Sequence, residues 1–353
     1  KIKVGKFMVD WSKYNPDTVN AIHRFCRNID KCSDDYIINM INDIQKCENE
    51  YHITPVEYFC YKFNEINDDV KMTYISTKEY KDTLLNCVKE DKIQTYKNKY
   101  LCYEKLKRFY KRDIIKVTDF SDYNNFVDFV SKHKKYIIKV IDGSLGSKIS
   151  VINVKENDSI KDLFFYALSY GGCVLEEYVQ QDASVSAFNE SSVNTVRLTT
   201  VCDDGNVDCF FTFIKLGRDN AIVDNGGQGG ILALINPKDG TVISDGYDED
   251  MNLFVNHPNS NLRIKGFAVP KWNELMDYAS DLAENAEGIT VIGWDFALTD
   301  KGWDIIEANT FPSIFPIQML LSMEFGCGIR EQYNKLLGNC LLYTSPSPRD
   351  GAT

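Results

Sequence analysis

The chain has 353 residues, 44% of them apolar and 26% charged, with a formal net charge of -11. Those values describe a globular protein large enough for two or three subdomains and argue against a disordered chain. The acidic balance argues against nucleic acid or an anionic membrane as the main partner, since both demand a basic footprint, and no apolar run reaches the roughly 18 to 20 residues of a membrane span.

Eleven cysteines occur, at 26, 32, 47, 60, 87, 102, 173, 202, 209, 327 and 340, with no Cys-x-x-Cys pair and no Cys/His ligand spacing. They read as reduced thiols in a cytoplasmic protein. The chain starts at Lys1 rather than Met, from which a missing natural N-terminus is expected. At the other end, Leu341 to Asp350 breaks in composition from what precedes it and resembles translated sequencing-adapter read-through. Residues 340–353 are therefore expected to be a non-native tail.

Residues 16 to 95 read as helical. Pro16 and Asp17 open one helix, Ser33 to Asp35 open another through Glu50, and Thr54-Pro55-x-Glu57 has the capping-box spacing with Pro at the first helical position. Tyr58, Phe59, Tyr61 and Phe63 crowd a short helix, where core packing against the following domain is expected. Lys97 to Arg112 reads as one basic amphipathic helix, followed by a short strand from Ile114 to Val117.

From Tyr136 the pattern turns to short strands. Tyr136 to Ile141 is a strand, Asp142 to Ser147 a Gly/Ser loop, and Lys148 to Val154 alternates as a returning strand. The loop lacks the spacing and the following helix of a Walker A motif. Its backbone N-H groups could still form an anion-binding nest, with Lys139 on the preceding strand reaching the same phosphates. A plain hairpin turn remains the alternative at this point. A helix from Ile160 to Ser169, a strand from Cys173 to Val179, strands from Val193 to Cys202 and from Val207 to Lys215, a glycine cluster at 226–230 and a strand from Ile231 to Ile235 follow. Arg197 lies within an apolar strand, where a guanidinium requires a buried anionic partner.

After a helix from Lys271 to Ala286 comes a hairpin, Val291 to Leu298 and Trp303 to Asn309, turned at Asp300, Lys301 and Gly302. Alternation puts Ile305, Glu307 and Asn309 on one face, with Asp295 beside them on the neighbouring strand. An Asp, a Glu and an Asn in a hairpin otherwise rich in Ile, Val and Phe would cost burial energy as a mere polar face. Three hard oxygen ligands at this spacing suit Mg²⁺. The four histidines, at 23, 52, 133 and 257, form no cluster in sequence, and no Ser/His/Asp or Cys/His arrangement stands out.

Asn98-Lys99, Ile138-Lys139, the Gly loop, Glu176-Glu177-Tyr178-Val179, Ser192-x-Asn194-Thr195-x-Arg197, Lys215, Arg218, Asp224-Asn225, Gly229-Gly230, Gly293-Trp294-Asp295 and Glu307-x-Asn309 occur in that order. Over about Thr54 to Gln318 the chain thereby resembles ATP-grasp proteins, most closely the sugar-transfer associated subgroup, related to ligases of the glutathione synthetase type. The resemblance implies an α/β fold of α+β subdomains: a helical N-terminal region (1–95), a nucleotide-binding subdomain (96–180) and a C-terminal subdomain with the metal site (181–339).

It also implies ATP and one or two Mg²⁺ ions as cofactors. Lys99 and Lys139 would hold the α and β phosphates, with Gly143, Ser144, Gly146 and Ser147 closing over them. Glu176, Glu177, Tyr178 and Val179 would belong to the nucleotide site, with Glu177 and the backbone of Val179 at the adenine edge and Asp182 at the ribose. Arg197, Arg218 and Lys215 are the catalytic cations of the resemblance, and Asp295, Glu307 and Asn309 its metal ligands. Val140 stands where a proline is common and Ser147-Lys148 where another glycine is common, which puts the loop's closure in doubt.

The implied activity is an ATP-dependent carboxylate-amine ligase working through an acyl phosphate, in the making or modification of surface polysaccharide beside other assembly enzymes. Kinase-like transfer to a hydroxyl and a non-catalytic nucleotide-binding module are the alternatives. Asp224, Gln228 and Gln318 are expected to face the acceptor.

Overall fold

The structure, a computed structural model, describes residues 9–143, 149–221, 224 and 226–337. They fall into two compact units, one of residues 9–85, 247–253 and 313–337, the other of residues 86–246 and 254–312.

The first unit is helical. Asn15 caps Pro16–Phe25 by accepting from Asp17 N, and Ser33 caps Asp34–Tyr51 by accepting from Tyr36 N. Thr54 and Glu57 complete the expected capping box on Pro55–Cys60, which lowers the cost of starting so short a helix. Tyr58, Phe59, Tyr61 and Phe63 are buried, with Tyr61 stacked on Tyr74 at 4.9 Å. Gln318, on the helix Phe315–Phe325, is fully buried; its amide accepts from Ile75 N at 2.9 Å and donates to Ile75 O at 2.8 Å. The side chain is thereby committed to backbone pairing inside this unit.

The second unit holds two sheets. The smaller contains β1 (Ile114–Val117), β2 (Lys135–Val140), β3 (Ile149–Asn153) and β4 (Cys173–Glu177) in the order β1-β4-β2-β3. Tyr136, Ile138, Cys173 and Leu175 pack with Phe126, Phe129 and Phe164 from two covering helices. The opposite face carries Ile137 beside Glu176, and two residues on, Lys139 beside Val174.

The larger sheet contains β5 (Thr195–Asp203), β6 (Asn206–Leu216), β7 (Ile231–Leu234), β8 (Gly246–Tyr247), β9 (Leu253–Phe254), β10 (Val291–Thr299) and β11 (Gly302–Asn309). Its order is β11-β10-β5-β6-β7-β8-β9. Val196, Leu198, Ile214, Trp294, Phe296 and Ile305 form its core face with Leu275, Ala279 and Leu282 of the helix Trp272–Asn285. Each large aliphatic or aromatic side chain buried there contributes about 1.5 to 3 kcal/mol.

Two expectations fail locally. In place of the single helix from Lys97 to Arg112, Lys97 ends a preceding helix Glu90–Lys97, and Lys99–Leu106 runs into a 3-10 turn at Lys107–Phe109. Asn98 breaks it: its backbone is extended (φ -78°, ψ 113°) and its side chain accepts from Leu101 N, starting a new helix instead of continuing the old one. In the hairpin, simple alternation puts Ile305 on the face of Glu307. The register instead pairs Asp295 with Glu307 and Phe296 with Ile305, so Ile306 is an extra residue and Ile305 turns into the core.

Candidate active site

Asp295 on β10 is flanked in register by Arg197 on β5 and Glu307 on β11, so the three side chains share the face opposite the core. Asp295 is 3% exposed and accepts from Arg197 Nε at 2.6 Å and Nη2 at 2.9 Å. Lys215 Nζ lies 3.1 Å from its second oxygen and 3.7 Å from buried Asp224. Asp295 is the buried anion that an arginine in this strand requires. Burial alone would raise the Asp295 pKa, but the Arg197 and Lys215 charges outweigh it and hold the group at about 2. Asp224 goes the other way: burial lifts its pKa although Lys215 opposes the rise, and its carboxylate accepts from Thr195 N and Oγ1.

Gly293 leaves room for Pro312 beside β10. A Cβ there would lie 2.6 Å from Pro312 Cβ and 3.5 Å from Arg197 Cδ. The arginine therefore lies across bare backbone.

Glu307 is half-buried, and its carboxylate makes no hydrogen bond or ion pair with a described residue. Asn309 donates from Nδ2 to Gly293 O at 3.3 Å, which leaves its Oδ1 turned to other use. A carboxylate and an amide oxygen two residues apart, beside a buried aspartate, fit a hard divalent cation such as Mg²⁺. Asp295 is already engaged by two cations, so Glu307 and Asn309 are the groups best placed to hold one.

A second cluster lies between the sheets. Lys99, at the start of its helix, donates from Nζ to Gly143 O, and Asn98 Nδ2 donates to Asp142 at 3.1 Å. Burial lowers the Lys99 pKa, with Glu307 acting to raise it and Lys139 to lower it. Lys139 Nζ donates to Glu176 Oε2 at 2.9 Å. The same oxygen accepts from Arg112 Nε at 3.1 Å and Nη2 at 2.8 Å. Burial would raise the Glu176 pKa, but Lys139 and Arg112 bring it to about 2. Arg112 Nη1 continues to Asp304 Oδ2 at 2.8 Å and to Ile305 O on β11.

Sequence reasoning missed Arg112 and Asp304. The signal that could have pointed to them is Glu176, a carboxylate within the apolar strand Cys173–Glu177, which needs a buried cation. The bulge at Ile306 hid Asp304 by putting it on the face of Glu307.

Glu177, Tyr178 and Val179 leave β4 and line a pocket with Lys111, Thr299 and Lys301. Glu177 accepts from Asp113 N at 3.1 Å and from Lys301 Nζ at 2.7 Å, and Lys135 Nζ sits 3.4 Å over the Tyr178 ring. Asp182 caps the turn Ala183–Ser186 by accepting from Ser184 N. Arg218 lies against Phe254 and near Gly229. Ser144, Gly146, Ser147 and Asn225 lie outside the described residues, as does the side chain of Gln228. His257 is fully buried with Nε2 2.7 Å from Gly217 O. His133 does meet two carboxylates, since its ligand atoms and those of Asp113 and Glu177 lie within 4.8 Å of one another, but Lys301 already supplies a cation to Glu177.

The profile of the family described as Sugar-transfer associated ATP-grasp matches residues 74–325. The chain belongs to that family. This ATP-grasp chain has no match among curated proteins. Solved structures similar to it include a D-alanyl-alanine synthetase A from Vibrio cholerae, at 13% identity and a TM-score of 0.44, covering 70% of this chain and 66% of that one. A D-alanine–D-alanine ligase from Bacillus anthracis complexed with ATP matches at 10% identity and a TM-score of 0.42, covering 71% and 68%. An N5-carboxyaminoimidazole synthetase from Staphylococcus aureus complexed with ADP matches at 15% identity and a TM-score of 0.44, covering 75% and 59%. This ATP-grasp chain has the expected α/β architecture, a helical N-terminal region followed by antiparallel sheets. Among its described residues no helix is long and apolar enough to cross a membrane.

Proposed function

We propose that the chain is an ATP-dependent ligase that activates a carboxylate as an acyl phosphate and passes the acyl group to an amine or another nucleophile, in the making or modification of surface polysaccharide. The observation that carries this reading is the charged face of β5, β10 and β11: Arg197 and Lys215 converge on Asp295, with the unengaged carboxylate of Glu307 next to them.

In the first step an oxygen of the substrate carboxylate attacks the γ-phosphorus of ATP. The bond from that phosphorus to the bridging oxygen breaks, and its electron pair leaves with ADP. Lys99 and Lys139 are assigned to the phosphate chain, with Glu177, Tyr178 and Val179 at the adenine and Asp182 at the ribose. Glu307 and Asn309, with Asp295 behind them, would hold Mg²⁺, which when bound neutralises charge on the phosphates.

In the second step an amine nitrogen attacks the acyl carbon, phosphate departs with the electrons of the carbon-oxygen bond, and the amine proton passes to it or to water. Arg197 and Arg218 suit the transferring phosphate, because a planar fork of donors matches its oxygens. No side-chain nucleophile enters, and charge placement supplies the acceleration.

The test is incubation with ATP, Mg²⁺, hydroxylamine and pools of amino acids and uronic acids. ADP together with hydroxamate is expected. ADP without hydroxamate would replace the ligase reading with a kinase or an ATPase, and neither product would favour a binding module.

A further inference from the structure

The guanidinium of Arg112 lies where the two sheets of the second unit meet, 3% exposed; it packs over the Tyr110 ring, and its hydrogen bonds run to Glu176, Asp304 and Ile305 O. Three N-H donors converge on one atom, Glu176 Oε2: Arg112 Nε at 3.1 Å, Arg112 Nη2 at 2.8 Å and Lys139 Nζ at 2.9 Å. On its other side Arg112 grips Asp304 and Ile305 O, two to three residues before Glu307 on β11. Two cations and two carboxylates thus form a neutral buried cluster that ties β2 and β4 to β11.

A buried carboxylate whose only cation moves away is left at high cost, whereas one with a second cation is not. We infer that Arg112 is a positioning residue: by sharing Glu176 with Lys139 it lets that lysine turn to an anion without stranding Glu176. Through Asp304 it also fixes the lysine's partner to the strand that carries Glu307. The inference rests on the proposed role of Lys139 at the phosphates.

Lys139 is the member free to move. Its side chain is 11% exposed against 3% for Arg112, and it makes one bond to Glu176 where Arg112 makes two and is anchored again on β11. With Arg112 gone, Glu176 would hold Lys139 for itself. Neutralising Glu176 should then release the lysine again, a rescue that a merely structural arginine would not give.

The experiment is calorimetric titration of MgATP into wild type, Arg112→Gln, Glu176→Gln and the double variant, each checked for folding by circular dichroism. Arg112→Gln is expected to weaken MgATP about tenfold, equivalent to about 1.4 kcal/mol, and adding Glu176→Gln is expected to restore most of that loss. A folded Arg112→Gln protein with wild-type affinity, or a double variant no better than Arg112→Gln, would overturn the inference while leaving the ligase reading in place. If Arg112→Gln does not fold, the double variant is compared with Glu176→Gln alone: equal affinity supports the sharing, and a tenfold deficit contradicts it. Wild type that binds no MgATP would remove the ligase reading and this inference together.

Discussion

Asp295 and Arg197 face each other across β10 and β5, joined by two hydrogen bonds of 2.6 and 2.9 Å, and both are shielded from water. Lys215 adds a third donor to the same carboxylate. The group that anchors two site cations is thus also a keystone of the sheet.

Asp295→Asn should therefore damage both stability and chemistry. Removing the anion leaves Arg197 and Lys215 buried with one shared partner fewer, a loss of about 3 to 5 kcal/mol. Urea unfolding of this variant should show that drop, with ATP turnover falling in the fraction that remains folded.

The stability of the second unit should depend on acid. Asp295 and Glu176 both have folded pKa values of about 2, below the ordinary carboxylate range. The unfolded chain then binds more protons than the folded one between pH 4.5 and 2, so stability is fully present above about pH 4.5 and lost as pH falls toward 2. Each group contributes roughly 2 to 4 kcal/mol across that window. Urea midpoints measured from pH 7 to pH 3 should fall, and Glu176→Gln should flatten the fall.

Glu307→Gln should separate fold from function. The carboxylate makes no hydrogen bond or ion pair with a described residue and is half-buried, so stability should change by less than about 1 kcal/mol. Under the ligase reading, turnover should be lost while much of the nucleotide affinity remains. Thermal melting and ADP release on one preparation check both. A variant that unfolds, with normal specific activity in its folded fraction, would make the hairpin purely structural.

Gly293→Ala should be harmful despite its small size. The new methyl would stand 2.6 Å from Pro312 Cβ, while Arg197 at 3.5 Å would be in ordinary contact with it. Overpacking of this kind costs about 1 to 3 kcal/mol, and a shift of β10 two residues from Asp295 should lower turnover further. Chemical denaturation beside initial-rate measurement would show it.

Much of this architecture was legible in residue order. The capping box at Thr54, the strand lysine at 139 and the polar face of the final hairpin all come from local rules, periodicity and cap chemistry, and the structure puts these elements where those rules place them. What stayed hidden depends on context beyond a few residues. The bulge at Ile306 is an irregularity that alternation cannot contain, and it decides that Asp304 and Glu307 share a face while Ile305 enters the core. Arg112 could not be told from its basic neighbours, because its distinction is burial against Glu176 and Asp304, 64 and 192 residues away. Asn98 belongs to the Asn98-Lys99 pair of the family resemblance, and its capping geometry also ends one helix and starts the next.

The most direct measurement of the central claim follows oxygen-18 placed in the β,γ-bridge of ATP, incubated with the protein, Mg²⁺ and a carboxylate pool but no amine acceptor. Reversible formation of an acyl phosphate frees the β-phosphate of bound ADP to rotate, so label should move into its non-bridging positions, only when a carboxylate is present and not with Glu307→Gln. A protein that binds MgATP yet leaves the label in the bridge with every carboxylate offered would contradict the ligase account.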